Sequence, residues 1–365
     1  MTIPVMDGTT GQTPSPVNVL YIAGAGRSGS TLLARMLGEI DGYVPVGELR
    51  YFWSRGMLER RLCGCGAPIP DCWFWSPIVE RFSRLGETRV HETIDRIDAM
   101  MGPRASLGAL ISRLRGRRLR LHDNATLDRI GSLYAAVQRA TGARCIVDSS
   151  KPPTYGLLLD AVPGIDLRVV HLVRDPRATA FSWLRYKPAR DRPSGGHMPR
   201  QPPWRSAIAW DMWNLEVERL WSTDSDRYIR IRYEDLVTRP AATLRRVTTL
   251  GGFADQTAFP ETSGNICLAP SHTVAGNPSR LDHGDTEIHL DADWATRLRA
   301  TDRTQVSVLC APLLHRYGYK IRVRAGRSEV RRSVYRRAPD SHFGIGHPHH
   351  AETLGGRGAR PDTGA

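Results

Sequence analysis

The chain has 365 residues, 41% of them hydrophobic, and a formal net charge of +14 at pH 7, from 51 Lys and Arg against 37 Asp and Glu. This length admits one large α/β domain or two small ones, and no apolar run approaches the roughly 18 residues that a membrane span needs. The basic excess suits a polyanion such as a nucleotide, a nucleic acid or an anionic surface. No helix-turn-helix, zinc-finger or aromatic ribonucleoprotein signature accompanies it, so no specific nucleic-acid partner is expected.

Residues 1–16 are polar, with Gly, Thr and Pro and no charged apolar leader, and read as a disordered segment of a cytoplasmic protein. The apolar run Val19 to Ala23 then reads as a buried strand, whereas Leu32, Leu33, Met36, Leu37 and Ile40 recur on one helical face. Between these two periods lie Gly24, Gly26 and Gly29. A glycine turn opening a helix directs backbone N–H groups and the positive end of the helix dipole at one spot, a cradle for phosphate or sulfate. The spacing from Gly24 to Gly29 matches a Walker A loop, but Ser30 stands in the lysine position. The same residues also satisfy a dinucleotide fingerprint, with Glu48 near the place of a ribose-binding acid. Arg27 adds a planar fork of permanently charged donors inside the turn, and Ser30 and Thr31 add hydroxyls at the first helical positions.

Tyr43-Val44-Pro45-Val46 is a second short apolar stretch and leads into Gly47-Glu48-Leu49. Glu48 is a candidate general base; capping the next helix or pairing with Arg50 are the plainer roles. Cys63, Cys65 and Cys72 cluster nearby. Three ligands fall short of the four of a complete zinc site, so reduced structural cysteines are expected, with metal, disulfide or redox roles as alternatives. Residues 76–140 are helical in pattern and arginine-rich, including the run Arg113 to Arg120, and are assigned to a helical cap insertion over the sheet edge.

Ala143 to Pro153 is another buried strand with a polar end. Lys151 emerges there at the edge of the glycine loop, and Asp148 occupies the place of a Walker B acid. Leu167 to Trp183 repeats the strand-to-helix pattern, with Asp175 as N-cap and Pro176 in the first helical turn. Arg174 thus sits at the carboxyl end of the strand, where open α/β sheets bind ligands. Ser182 follows about two turns on, roughly 10 Å along the helix.

Lys187 to Trp204, rich in proline with Gly195-Gly196, is read as a mobile lid. Trp210, Trp213, Val217 and Trp221 recur at helical spacing and are assigned to the core. An alternating strand from Tyr228 enters a helix before Pro240, Ser271 to Arg280 contains the turn Gly276-Asn277-Pro278, and two helical patterns end at Gly318. Residues 324–365 form a basic tail read as disordered, and its His342, His347, His349 and His350 are read as solvated.

Arg27-Ser28-Gly29-Ser30-Thr31 resembles the 5′-phosphosulfate loop of sulfotransferases that use 3′-phosphoadenosine 5′-phosphosulfate (PAPS), and Arg174 with Ser182 resembles their 3′-phosphate site. The resemblance runs from Val17 to Tyr319. It implies a P-loop-like open parallel sheet flanked by helices, one sulfotransferase domain over residues 17–323, and PAPS as a donor that leaves as adenosine 3′,5′-bisphosphate with no metal required. On this basis Gly26, Arg27, Ser28, Gly29, Ser30 and Thr31 hold the 5′ end. Tyr233, within Arg232-Tyr233-Glu234-Asp235-Leu236, lies beside the nucleotide, and Asn277 and Arg280 belong to a late loop that closes over it. Lys151 stabilises the sulfuryl group in transit. Glu48, 21 residues after Arg27, matches the spacing to the catalytic glutamate of the tyrosylprotein enzymes. The cysteine cluster resembles Cys-Gly-Cys-Gly segments of bacterial sulfotransferase-like chains and would lie in an acceptor-side insertion. The acceptor would be a hydroxyl of a carbohydrate, lipid or secondary metabolite, and the oligomeric state is open. The rival readings are a dinucleotide-dependent oxidoreductase and a P-loop small-molecule kinase using Asp148.

Overall fold

The computed structural model describes residues 15–102, 123–252 and 259–321, together with positions 108 and 111. Of the segment 1–16 expected to be disordered, residues 1–14 lie outside the described residues, as do the whole of 324–365, the run Arg113 to Arg120 and the tail histidines.

Strands β1 (Val17–Ala23), β2 (Tyr43–Gly47), β3 (Cys145–Lys151), β4 (Ile165–Val173) and β5 (Tyr228–Arg232) form one sheet in the order β2-β3-β1-β4-β5. Every pairing in it is parallel, as expected for an open α/β sheet. Such a sheet is covered on both faces, so its central strands read as continuous apolar runs. Leu20, Tyr21, Ile22 and Ala23 of β1 are fully buried. Alternation along β1 divides the core: Leu20 and Ile22 pack with Leu33, Met36 and Leu37 of helix α1 (Ser30–Gly38). Val19 and Tyr21 face the opposite layer.

That opposite layer contains α4 (Asn124–Thr141), which follows α2 (Ser76–Ser83) and α3 (Glu87–Met100). The sequence assigned α4 to the cap, but Leu127, Ile130, Leu133, Tyr134 and Val137 bury one helical face in the same cluster as the sheet. It therefore lies against β1 and β3, while α2 and α3 pack outside it. Those two helices rest on an aromatic cluster in which Trp53 meets Phe82 at 5.1 Å and Phe52 meets Trp75 at 5.7 Å between ring centres.

The chain crosses from β3 to β4 over β1, so the direction of winding reverses at β1 and opens a crevice at the carboxyl ends of β1, β3 and β4. Helix α5 (Pro153–Ala161) follows β3, and α6 (Pro176–Leu184) follows β4. As anticipated, Asp175 caps α6 by accepting the Arg177 N–H at 2.8 Å. The long helix α7 (Pro203–Trp221) buries Trp210, Val217 and Trp221 as expected, but Trp213 is only half-buried. Residues 188–197 form a turn closed by Ala189 N to Gly196 O at 2.9 Å and Met198 N to Lys187 O at 2.8 Å. A separate two-stranded hairpin, β6 (Gly264–Leu268) with β7 (Gly284–Ile288), completes the elements near the site. Among the described residues no helix is long and apolar enough to cross a membrane.

Candidate active site

The crevice is a cleft of about 470 Å³, within the range of ligand sites. Its first wall is the loop from β1 to α1. Gly29 adopts φ +98°, and a Cβ there would lie 2.3 Å from the Tyr233 ring. Gly26 permits a second close approach, since its Cβ would fall 2.8 Å from Trp183. Glycine at these two positions lets Tyr233 and Trp183 press against the loop. Arg27, itself left-handed at φ +68°, lays its guanidinium over Trp183 at 4.6 Å. The first N–H groups of α1 have no intrahelical acceptor and belong to the cradle. Thr31 Oγ1 accepts the Asn277 N–H at 3.2 Å, so the late loop closes on the first turn of the helix.

The second wall comes from β2 and β3. Lys151 Nζ donates to Glu48 Oε1 at 2.6 Å and to Ser149 O at 3.0 Å. The local cause is Asp148, which turns back to accept the Ser150 N–H at 2.6 Å, while both strands pairing with β3 shift register at this point. Lys151 is left with φ +82°, a strained value for a residue with a side chain. Asp148 is wholly buried and also accepts the Tyr134 hydroxyl. Burial pushes its pKa up to about 6. It does not line the cleft, so the geometry gives it no role as a magnesium ligand there.

Burial acts to raise the Glu48 pKa, but Lys151, Arg50 and Arg55 outweigh it and hold the carboxyl below its usual value. Lys151 is lowered, chiefly by burial and against the attraction of Glu48. Glu48 thus pairs with Lys151 rather than with Arg50, whose guanidinium instead stacks on Tyr51 at 3.8 Å beside that of Arg55 at 3.5 Å. Its side chain makes no capping bond to the short helix after it.

The third wall is the end of β4. Arg174 stacks on Tyr233 at 4.4 Å, donates to Arg27 O at 3.3 Å and pairs with Asp291 at 3.2 Å. Burial would lower its pKa, but Tyr233, Asp291 and Glu234 raise it above the ordinary arginine value. Ser182 lines the same cleft.

The fold therefore brings together Gly26, Arg27, Gly29, Ser30, Thr31, Glu48, Lys151, Arg174, Ser182, Tyr233 and Asn277. Two expected contacts stand elsewhere. Ser28 is buried behind the loop. Arg280 is 1% exposed and turns inward, where its guanidinium bonds Thr273 O at 2.7 Å, Leu62 O at 2.6 Å and Asp191. With both terminal nitrogens engaged inside the fold, it ties segments together and does not line the cleft. Sequence reasoning missed Trp213, Arg55, Arg185 and Asp291, all of which line it, as does Lys187 at the start of the segment read as a lid. Trp213 carried a signal, its place on α7, that was read as core. Eight cationic side chains face three acidic ones around the cleft. This excess of positive charge fits a polyanionic occupant.

A family model described as the sulfotransferase family matches residues 20–255. The chain belongs to that family, which displaces the oxidoreductase and kinase readings. It is 30% identical over 210 residues to a protein named carbohydrate sulfotransferase 7 from Mus musculus, covering 47% of this chain and 42% of that one. It is 29% identical over 180 residues to carbohydrate sulfotransferase 5 from Homo sapiens, covering 46% and 43%. The chain thus spans less than half the length of these curated relatives. Among solved structures, the sulfotransferase domain of the Synechococcus PCC 7002 olefin synthase aligns with a TM-score of 0.44 at 22% identity, covering 82% of this chain and 95% of that one. Sulfotransferase STF9 from Mycobacterium avium aligns with a TM-score of 0.43 at 15% identity, covering 86% and 79%.

Proposed function

We propose that this protein transfers the sulfuryl group of PAPS to a hydroxyl of a glycan or other small molecule. The observation that carries the reading is the opening of Arg27, Arg174 and the Glu48–Lys151 pair into one cleft. Arg27 and the first turn of α1, through Ser30 and Thr31, would hold the 5′ end. Arg174 and Ser182 would hold the 3′-phosphate, with Tyr233 packed between the loop and Arg174. When bound, PAPS supplies an activated sulfuryl group on a good leaving group.

Such transfers are helped mainly by alignment and by fixed positive charge where negative charge develops. Lys151 and Arg27 supply that charge without rearranging, because both are already fixed in place, Lys151 by two hydrogen bonds and Arg27 by Trp183. The Glu48 carboxylate takes the proton of the acceptor hydroxyl as its oxygen attacks the sulfur and the bond from sulfur to the adenosine 3′,5′-bisphosphate breaks. Its lowered pKa keeps it ionised at neutral pH and ready to accept, at the cost of intrinsic basicity. Lys187, near enough to Arg27 and Arg174 to feel their charge, adds to the positive field on the donor; Met198, Pro199 and Trp213 line the cleft and offer surface to an acceptor, and the names of the curated relatives favour a carbohydrate.

The test is retention of the protein on immobilised adenosine 3′,5′-bisphosphate, followed by transfer of labelled sulfate to a panel of glycans and small hydroxyl compounds. Elution by PAPS and not by NAD, with label appearing in an acceptor, is expected. Elution by NAD, or no retention, removes the proposal.

A further inference from the structure

Away from the cleft, the three clustered cysteines meet a fourth donor that their spacing does not reveal. His272, 200 residues beyond Cys72 in the chain, places Nδ1 3.3 Å from Cys72 Sγ and 3.8 Å from Cys63 Sγ. Cys72 Sγ lies 3.7 Å from both Cys63 Sγ and Cys65 Sγ. All four donor atoms lie within 4.8 Å of one another. Tetrahedral zinc, with bonds of about 2.3 Å to sulfur and 2.0–2.1 Å to nitrogen, would set its ligands ~3.8 Å apart for two sulfurs and ~3.6 Å for sulfur and nitrogen.

From this geometry we infer that Cys63, Cys65, Cys72 and His272 form a structural Zn²⁺ site. A disulfide would use two of the thiols and leave the third and the imidazole without a purpose. The surroundings hold the donors as ligands are usually held. Cys63 and Cys65 are brought to one side by a tight turn, in which Cys63 N bonds Ala67 O at 2.7 Å and Gly66 N bonds Cys63 O at 2.9 Å. The His272 ring stacks on Phe74 at 5.1 Å and meets the edge of Trp73 at 4.6 Å, while Trp75 Nε1 bonds its carbonyl at 3.1 Å. These contacts fix the ring with Nδ1 turned to the sulfurs. Protein groups fill all four positions, which is the closed arrangement of structural rather than catalytic zinc.

The consequence is a staple. The metal joins residues 63–72 to the start of the late loop, whose next residues make main-chain bonds from Val274 N to Val46 O at 3.0 Å and from Glu48 N to Ala275 O at 3.1 Å. The proposal concerns the fold and stands whether or not the sulfuryl-transfer reading does.

The test uses the full chain, purified under reducing conditions from zinc-supplemented cells. Elemental analysis should give one zinc per chain. Exchange for Co²⁺ should give tetrahedral d–d bands together with thiolate-to-cobalt charge transfer. Cys65→Ser and His272→Ala should each lose the bound zinc, whereas Cys267→Ser, at an exposed thiol outside the cluster, should keep it. If a ligand variant does not fold, the Co²⁺ spectrum of the unaltered chain decides alone. A reduced wild-type protein that holds no zinc and gives no cobalt spectrum would overturn the inference. So would zinc retained at one equivalent in folded Cys65→Ser and His272→Ala proteins.

Discussion

Replacing Glu48 by Gln is the sharpest perturbation available, because it removes a charge and a base while preserving shape. Glu48 and Lys151 are 12% and 13% exposed in their side chains, so water screens the pair little. Deleting one member of such a pair outright costs about 3–5 kcal/mol. The amide retains an acceptor oxygen for Lys151, and Ser149 O at 3.0 Å holds the ammonium from the other side. The structural penalty should therefore be smaller, about 1–3 kcal/mol. The chemical penalty is separate: general-base catalysis contributes about 10²- to 10⁴-fold, or roughly 3–5 kcal/mol of barrier. The paired assays are turnover of labelled donor and calorimetric binding of adenosine 3′,5′-bisphosphate. Turnover should fall at least a hundredfold with nucleotide binding nearly unchanged. Because its folded pKa is depressed, Glu48 contributes stability above its unfolded pKa and loses it as pH falls through the folded value. That acid-side decline should shrink in the variant. Turnover near the wild-type rate would refute the assignment of the base, and loss of both turnover and nucleotide binding would make Glu48 structural.

Three further outcomes are expected. Arg174→Ala should weaken adenosine 3′,5′-bisphosphate by about 10- to 150-fold, the value of a charge-assisted hydrogen bond at 1.5–3 kcal/mol, and leave adenosine 5′-monophosphate nearly unaffected; equal losses by calorimetry would remove the 3′-phosphate assignment. Gly29→Ala forces a methyl to 2.3 Å from the Tyr233 ring at φ +98°, so thermal unfolding should report a loss of about 1–3 kcal/mol, and an unchanged midpoint would contradict the packing. Burial, then Arg27, Arg185 and Arg174, lower the Lys187 pKa to about 8; since lysine is cationic below its pKa, kcat/KM for the donor should decline as pH rises through 8. That limb should vanish in Lys187→Arg, and its persistence unchanged there would show that another group titrates.

The glycine cradle was legible in the sequence because strand, turn and helix are local and their periods differ, and Arg174-Asp175-Pro176 was legible for the same reason. What escaped depended on the third dimension. Trp213 shares its helical spacing with buried Trp210 and Trp221 but points at the cleft; periodicity identified the helix, not what each flank would meet. Arg185 and Asp291 are single charges in irregular segments, where no period marks them. Arg280 sits in a turn motif that suggested exposure, yet its guanidinium satisfies two inward carbonyls. Asp148 at a strand tip imitated a metal-binding acid until its partners, Tyr134 and the Ser150 N–H, became visible.

The hydrogen bonds that join residues 46–48 to 274–275 run between peptide groups. Bonds of this kind do not depend on which side chains the two segments carry, and Gly47 has no room for one, since a Cβ there would lie 2.6 Å from Ala275 O. The backbone that carries position 48 is therefore tied by main-chain bonds to the loop beside it. No residue of α2 or α3 lines the cleft, so the outer surface these helices carry can vary without altering the wall to which position 48 belongs.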